Sequence, residues 1–600
     1  MKWFWTLSCL MFLTAGVSLY AQQRSYRVPR RATLEWSRYR EPAVQMTVIR
    51  EADRKRQPIA AEQKAEVAPP IYQDGALSAP RLVRAFAGNP FELATPNDNS
   101  LAVSHYGEIL SAVNSAVRVY DTTGQHLGMH TLTALGDTLQ LPGLEFDPRV
   151  WYDTAARRFI IVFLSGFRSS NSQVIVGFSA DSSALGPWHF YALPGDPLQD
   201  SSWSDFPMIT VEGSSLFITL NLLWNDSTWQ KGFRQSIIWR VPMADGFAGA
   251  DSLDAVLTWG VEYGGKPLRN VCPVITRARS VSDSFQYYLS NRNFSPANDS
   301  FFLIRQSPSG TVTVSIFRTS GDYAAPPPAQ MQGSQVLATN DARVLWAERW
   351  NGRIFFAGNT DDGAGRASIY VGTHILGDTA RSWMRILPTE RYEWGYPCIT
   401  AFPASGGMQR LLFTNFTADT THPGCGAFLW VDTMLSELTI LHRGFASVNL
   451  LRSDTERWGD YTTCQADPAH PGRLWCAGYV GRRVTQGFYT YNAHVTWMGA
   501  FGLSVPPAGL AEAPSRPAPV VMPQPAGDHA VVRVHIEKGG PYRAAVYDAG
   551  GRLVHTLFKD ILRAGTTYHF HLRTTQWPPG LYYLRLSGPD GVQNIRWVLR

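Results

Sequence analysis

Between about residue 95 and residue 500 one pattern recurs. A short lead-in, often with Asp or Pro, precedes an apolar strand; a polar turn follows, then a second strand rich in Phe, Leu and Ile. The copies begin with "NDNSLAVSHYGEILSAVNS", "FDPRVWYDTAARRFIIVFLSG", "SDFPMITVEGSSLFITLNLL" and "NVCPVITRARSVSDSFQYYLSNRN". They continue with "NDARVLWAERWNGRIFFAGNT", "GYPCITAFPASGGMQRLLFTNFT" and "WGDYTTCQADPAHPGRLWCAGYV", seven in all. Most run on into a third strand such as "QVIVGFSA" or "ASIYVGT", and several into a fourth such as "WHFYALP". A four-stranded antiparallel sheet at a period of roughly 60 residues is one propeller blade per repeat. Such a sheet cannot bury both faces alone, whereas a closed circle of them buries the faces and protects the edges. The expectation is an all-β chain built on a seven-bladed β-propeller. Six or eight blades stay open, because the boundary between the first copy and the preceding arm is soft.

Composition agrees with an all-β, turn-rich chain: 17% charged residues, 20 Trp, 24 Tyr, 51 Gly and 39 Pro. At 600 residues more than one domain is expected. Residues 1–21, "MKWFWTLSCLMFLTAGVSLYA", carry Lys2, an apolar run and a small-residue end. They read as a Sec-type signal peptide cleaved between Ala21 and Gln22. No other segment is long and apolar enough to suggest a spanning helix, so the mature chain is expected to lack a transmembrane segment. Residues 22–92 are basic and expected to be a mostly irregular arm. No nucleic-acid motif accompanies that charge, so a solvated arm is favoured over a nucleic-acid partner.

Of six cysteines, Cys9 falls in the leader. Cys464 and Cys476 flank a turn in "TTCQADPAHPGRLWCAG" and would face one another if two strands fold back there. They are the candidate disulfide in an exported chain. No CxxC or paired-His spacing suggests a metal centre, and none is assigned.

The propeller segment, residues 93–502, resembles a loosely defined group of exported bacterial β-propellers related to the sialidase-like superfamily with its Asp-box repeats. The motifs are "DPRVWYD", "DFPMITV" and "SADSSALGPWHFY". In the last, Ser179, Asp181, Gly186 and Trp188 are similar to an Asp-box, with Gly186 arriving late. "SYRVP", Tyr26 to Pro29, resembles the Arg-bearing motif of sialidases but stands far ahead of the first blade. Arg149, Arg277, Arg343, Tyr152 and Glu348 fit the other sialidase parts only loosely. No Gly-x-Ser-x-Gly, His-Glu-x-x-His or P-loop is present, so no catalytic residue and no cofactor is assigned. Asp147, Asp205, Asp341 and Asp460 recur at lead-ins of four blades. The structural reading has them accepting backbone hydrogen bonds in the entry turns; the functional one is a ring of carboxylates that holds a cation.

Residues 503–524, "LSVPPAGLAEAPSRPAPVVMPQ", are a Pro/Ala-rich linker. In residues 525–600 period-two alternation returns. Val532, Val534 and Ile536 share a face, as do Tyr568, Phe570 and Leu572; Tyr582, Leu584 and Leu586; and Ile595, Trp597 and Leu599. A small Ig-like antiparallel β-sandwich is expected. The stretches "AAVYDAGGRLVHTL", "LRAGTTYHFHL", "PPGLYYLRL" and "VQNIRWVLR" make this tail similar to the type A C-terminal sorting domain of the type IX secretion system of Bacteroidota-like bacteria. That resemblance implies the outer-membrane translocon as a partner and an extracellular or cell-surface location, reached through Sec and then across the outer membrane. The leading expectation of function is a secreted or surface-displayed propeller that binds a glycan or a surface protein. A sialidase-like glycan-processing enzyme and a structural envelope component are the alternatives.

Overall fold

The computed structural model describes residues 21–36, 77–92, 94–276, 284–378, 380, 382–404, 407–486, 488–502, 520–522, 529–536, 538–548, 552–564, 566–589 and 591–599. The chain divides into two units, Met1–Ser504 and Val505–Arg600. It is all-β with propeller-like, nearly closed sheets; two short helices, Leu132–Thr138 and Met243–Ala248, interrupt the strands of the first unit.

The first unit is a succession of antiparallel meanders. Their innermost strands, in chain order, are Ser100–Val103, Glu145–Asp153, Ser202–Glu212, Cys272–Thr276, Val344–Trp350, Glu393–Ala404 and Thr463–Ala466. Each lies against the next, and the last lies against the first. The fourth and fifth even pair in parallel, Val274 opposite Ala347. Several second strands are apolar without alternation because neighbouring sheets cover both of their faces. In Arg158–Ser165, Ile160, Val162 and Leu164 enter the core shared with the third meander, while Phe159, Ile161 and Phe163 enter the core shared with the first. Arg353–Asp361 does the same with Ile354 and Phe356 on one side and Phe355 and Ala357 on the other. Each such side chain contributes about 1.5–3 kcal/mol by leaving water.

The stretch expected as an irregular arm is not all irregular. Gln22–Glu35 is a strand that pairs with Ser252–Trp259, the outer strand of the third meander, and with Pro187–Pro194, the outer strand of the second. It joins the two into one nine-stranded sheet. Arg81–Ala87 pairs with Tyr489–Gly502 and so provides the outer strand of the last meander. Both strands are held by backbone pairing at sheet edges, which polar, half-exposed sequences satisfy as well as apolar ones.

The lead-ins explain how the meanders hold together. At three of them the inner strand's register jumps, between Phe146 and Arg149, Asp205 and Met208, and Gly395 and Cys398. These are bulges, and Pro148, Pro207 and Pro397 fit there because the position has no ladder bond to lose. The bulge residues Asp147, Phe206 and Tyr396 are left-handed, with φ of 51°, 53° and 56°. Their backbone N–H groups need acceptors outside the ladder. An Asn on the second strand of the preceding meander, or just after it, supplies one in two of these cases: the Asp147 N–H donates to Oδ1 of the half-buried Asn114 (2.7 Å) and the Tyr396 N–H to Oδ1 of the buried Asn359 (2.7 Å). Asn221 accepts from the N–H of Asn270, itself left-handed, in the same way (3.1 Å). The amides donate too, Asn359 to Thr339 O and Asn221 to Asn270 Oδ1.

Asp181 and Trp188 make a turn and a packed ring between the third and fourth strands of the second meander. The Asp181 carboxylate accepts from the Ser183 N–H (2.8 Å), and the buried Trp188 donates its Nε1–H to Ala184 O (2.9 Å). A Cβ on Gly186 would meet that carboxylate at 2.4 Å, so only glycine fits beneath it. Cys464 and Cys476 stand directly opposite on paired strands, Cα to Cα 4.1 Å, and are joined as a disulfide. Cys272, Cys398 and Cys425 are buried and outside that disulfide.

The second unit consists of two antiparallel sheets. One orders Val520–Met522, His529–Ile536 and Thr566–Arg573; the other orders Leu553–Leu562, Gly540–Asp548, Gly580–Gly588 and Gly591–Leu599. Val532, Val534 and Leu572 from the first and Val546, Leu584 and Trp597 from the second share one core. The residues whose period-two spacing marked an inner face line this core, with Tyr568, Phe570 and Ile595 at its rim.

The asparagine latch is testable. Asn359→Ala leaves the Tyr396 N–H and the Thr339 carbonyl without partners in a dry site. A loss of about 2–3 kcal/mol is expected in equilibrium urea unfolding, against near neutrality for an exposed polar-to-Ala change.

Candidate functional site at the mouth of the channel

The inner strands surround a cavity of about 510 Å³, lined by Arg149, Trp151, Met208, Cys272, Trp346 and Gln465 among others. At the end where the strands enter, the lead-ins bring carboxylates together. The carboxylate oxygens of Asp98, Asp147 and Asp460 lie within 4.8 Å of one another. Asp98 and Asp147 are turned inward by left-handed backbone, φ 55° and 51°, a conformation that Asp tolerates better than most residues.

The four aspartates singled out in sequence are not structurally equivalent. Asp147 is itself the bulge residue, whereas Asp205 precedes the bulge residue Phe206, and Asp341 follows the left-handed Asn340. Asp341 is fully buried and held by a bidentate fork from Arg343 (2.7 and 2.8 Å), by the Arg343 N–H (3.0 Å) and by Asn293 (2.6 Å). Asp460 accepts from Asn340 and Arg457. Asp98 accepts from the Asp460 N–H (2.6 Å) and from Asn114 Nδ2 (2.7 Å). Asp341 and Asp98 thus take backbone hydrogen bonds. The Asp147 carboxylate takes none among the described residues.

Charge is divided unevenly. Burial, followed by the charge of Asp460, pushes the Asp98 carboxyl up to about 7. Burial and the charges of Asp205, Asp98 and Asp460 push Asp147 well above the usual carboxylate range. Asp205 rises to about 6, again through burial first and Asp460 second. Burial works in the same direction on Asp460, but Arg457 and Arg343, with the hydrogen bond from Asn340, outweigh it and hold that carboxyl below its ordinary value.

From this cluster a run of stacked guanidinium groups and rings leads outward. Arg149 lies over Tyr461 and 5.8 Å from the Phe206 ring; Arg343 is 4.4 Å from Phe206 and 5.2 Å from Trp229. Arg269 is 5.6 Å from Trp229 and 5.0 Å from Phe294, which is 44% exposed. Trp229 and Phe294 are themselves 5.8 Å apart. Both stand on loops between second and third strands, which open at the same end of the ring as the lead-ins. On the same side Phe167, 46% exposed, stacks on Phe146 (4.3 Å) and meets Trp203 edge-on (5.7 Å).

The residues suggested by sialidase resemblance do not assemble. Arg149 and Arg343 reach the mouth, but Tyr152 bonds His105 Nδ1 through its hydroxyl (3.1 Å), and the buried Glu348 accepts from the Ala401 N–H (3.2 Å). Arg27 of the "SYRVP" stretch donates to Ser252 Oγ (2.9 Å) on the outer edge of the third meander. Arg277 lies outside the described residues. Sequence reasoning passed over Asp98, Arg457 and the Trp229–Phe294 pair. Asp98 was visible as the Asp of "NDNS", in register with the other lead-ins; the rest depend on which loops meet in space.

No protein-family model matches the sequence, and no curated protein does either. Among solved structures the chain is similar to Trypanosoma rangeli sialidase in complex with the inhibitor DANA, at 10% identity and a TM-score of 0.36, over 85% of this chain and 89% of that one. It is similar to a glycosyl hydrolase from Bacteroides ovatus at 9% identity and 0.28, over 60% and 98%. A post-proline cleaving enzyme from Rickettsia typhi follows at 9% and 0.30, over 80% and 56%. Proteins of such different activity assign no role to a residue here.

The raised carboxyls fix a pH dependence. A folded-state carboxyl titrating near 6, against about 4 unfolded, binds its proton more tightly when folded. Its contribution is therefore full below the unfolded value and is lost as pH rises through the folded one. In EDTA, the urea midpoint should fall between pH 4 and pH 6–7, and Asp205→Asn should flatten part of that slope.

Proposed function

We propose that the first unit is a seven-bladed β-propeller that binds a glycan at the mouth of its channel. The observation that carries this reading is the exposed Phe294 and its partner Trp229, backed by Arg269 and Arg343. Aromatic faces stack on the apolar face of a sugar ring, and Arg269 holds the loop that presents Trp229 by donating to the Trp229 and Gln230 carbonyls. Phe167 and Trp203 extend such a platform beyond a single sugar. Binding is favoured over catalysis because Asp341, Asp460 and Asp98 are held by Arg343, Arg457 and Asn114. Glycan-array screening of the chain, followed by calorimetry on the best ligand, tests this. Trp229→Ala and Phe294→Ala are each expected to weaken binding about tenfold or more with the fold intact by circular dichroism. An array without hits, or binding indifferent to both changes, overturns the reading.

The same proposal includes export. Residues 1–21 are read as a cleaved leader, and the second unit as an Ig-like sorting domain for the type IX translocon, with the protein delivered to the cell surface or medium. A separate unit with its own core at this place in the chain supports it. Intact mass of the native protein in surface and medium fractions is expected to show the C-terminal unit removed. Full-length protein confined to the periplasm would contradict this.

A further inference from the structure

Where the last meander meets the first, three consecutive lead-ins around the ring contribute one carboxylate each: Asp460, Asp98 and Asp147. Asp98 is fully buried and Asp147 is 7% exposed. Asp98 is positioned by Asn114 and the Asp460 N–H, and one oxygen of Asp460 by Asn340 and Arg457. The remaining oxygen of Asp460 and both oxygens of Asp147 accept no hydrogen bond among the described residues. A carboxylate this deeply buried, facing two others and left without a donor, is costly unless something positive sits between them.

We propose that Asp98, Asp147 and Asp460 bind a hard divalent cation, calcium by the chemistry of its ligands, at the seam where the ring closes. All the donor atoms are oxygens, which excludes the nitrogen and sulfur preference of zinc. One oxygen of each carboxylate lies within 4.8 Å of the other two, close enough for a single ion to draw on all three. Calcium accepts several protein carboxylates in flexible geometry, whereas magnesium keeps most of its waters. Backbone carbonyls and water complete its coordination. The cation joins the seventh, first and second meanders and so acts as a fastener of the closed ring, beneath the glycan-binding mouth and independent of it.

The test uses the purified chain stripped with EDTA. Calcium at about a hundredfold above its dissociation constant should raise Tm by about 3 °C or more. Terbium should bind the same site and emit on excitation of the tyrosines beside it, since the Tyr479 hydroxyl is 3.4 Å from Asp98 Oδ1. Calcium should quench that emission by competition. Asp147→Asn should lose the calcium-dependent rise and weaken terbium binding at least tenfold, while its Tm in EDTA equals or exceeds that of the unchanged chain, because a like charge has gone. Asp460→Asn should lose the rise as well. A wild-type Tm indifferent to calcium with no sensitised terbium emission overturns the proposal, as does an Asp147→Asn variant that responds like wild type. Should that variant fail to fold, the wild-type terbium and calcium titrations decide the matter.

Discussion

The architecture depends on a backbone N–H that has nowhere to go. A strand that enters the ring through a bulge turns one residue left-handed and takes its amide out of the ladder. In a dry interior such an amide needs an acceptor of its own. At the second, fourth and sixth meanders the acceptor is an asparagine of the sheet before, Asn221 and Asn359 buried within its second strand and Asn114 half-buried just after it. The bond is local in energy but not in effect, because it ties the entry point of one sheet to the body of its neighbour. Hydrophobic contact between sheet faces sets how closely they pack, and the asparagine fixes which residue stands at the mouth. The carboxylates, arginines and rings there inherit their positions from it.

That arrangement concentrates polar groups where water is scarce. Arg343 and Asp341 neutralise one another in a closed fork, and Arg457 does the same for one side of Asp460. Aromatic rings stand between the guanidinium groups and attract them, as Phe206 does for both Arg149 and Arg343. The result is a rigid inner layer and a more open outer one, where Phe294 and Phe167 reach solvent.

Much of this was legible in the residues. Second strands such as Arg158–Ser165 and Ser215–Trp224 read as nearly continuous apolar runs because both faces are covered, and the alternation in the tail survives intact in its core. What escaped has one physical cause: it rests on backbone pairing or on spatial convergence. "QQRSYRVPRRATLE" is polar, basic and interrupted by Pro29, yet it forms a long strand, since an edge strand needs only its amides and carbonyls. The bulge moved by one residue between repeats, so aspartates that align by eye, such as Asp147 and Asp205, play different parts. Asn114, Asn221 and Asn359 stand within the repeats, but their role as latches depends on which sheets meet in space.

The two edge strands near the N-terminus carry a consequence for how the chain comes to order. Gln22 finds its partner at Trp259, and Arg81 finds its partner at Gly502. A chain made from its N-terminus thus produces both strands long before anything exists for them to pair with. The first waits through two complete meanders and the second through all of them. Each such closure spans hundreds of residues, the kind of non-local pairing that makes folding slow and late. The last meander cannot gain its outer strand until residue 502 exists, so the pairing that completes it joins the two ends of the first unit's sequence.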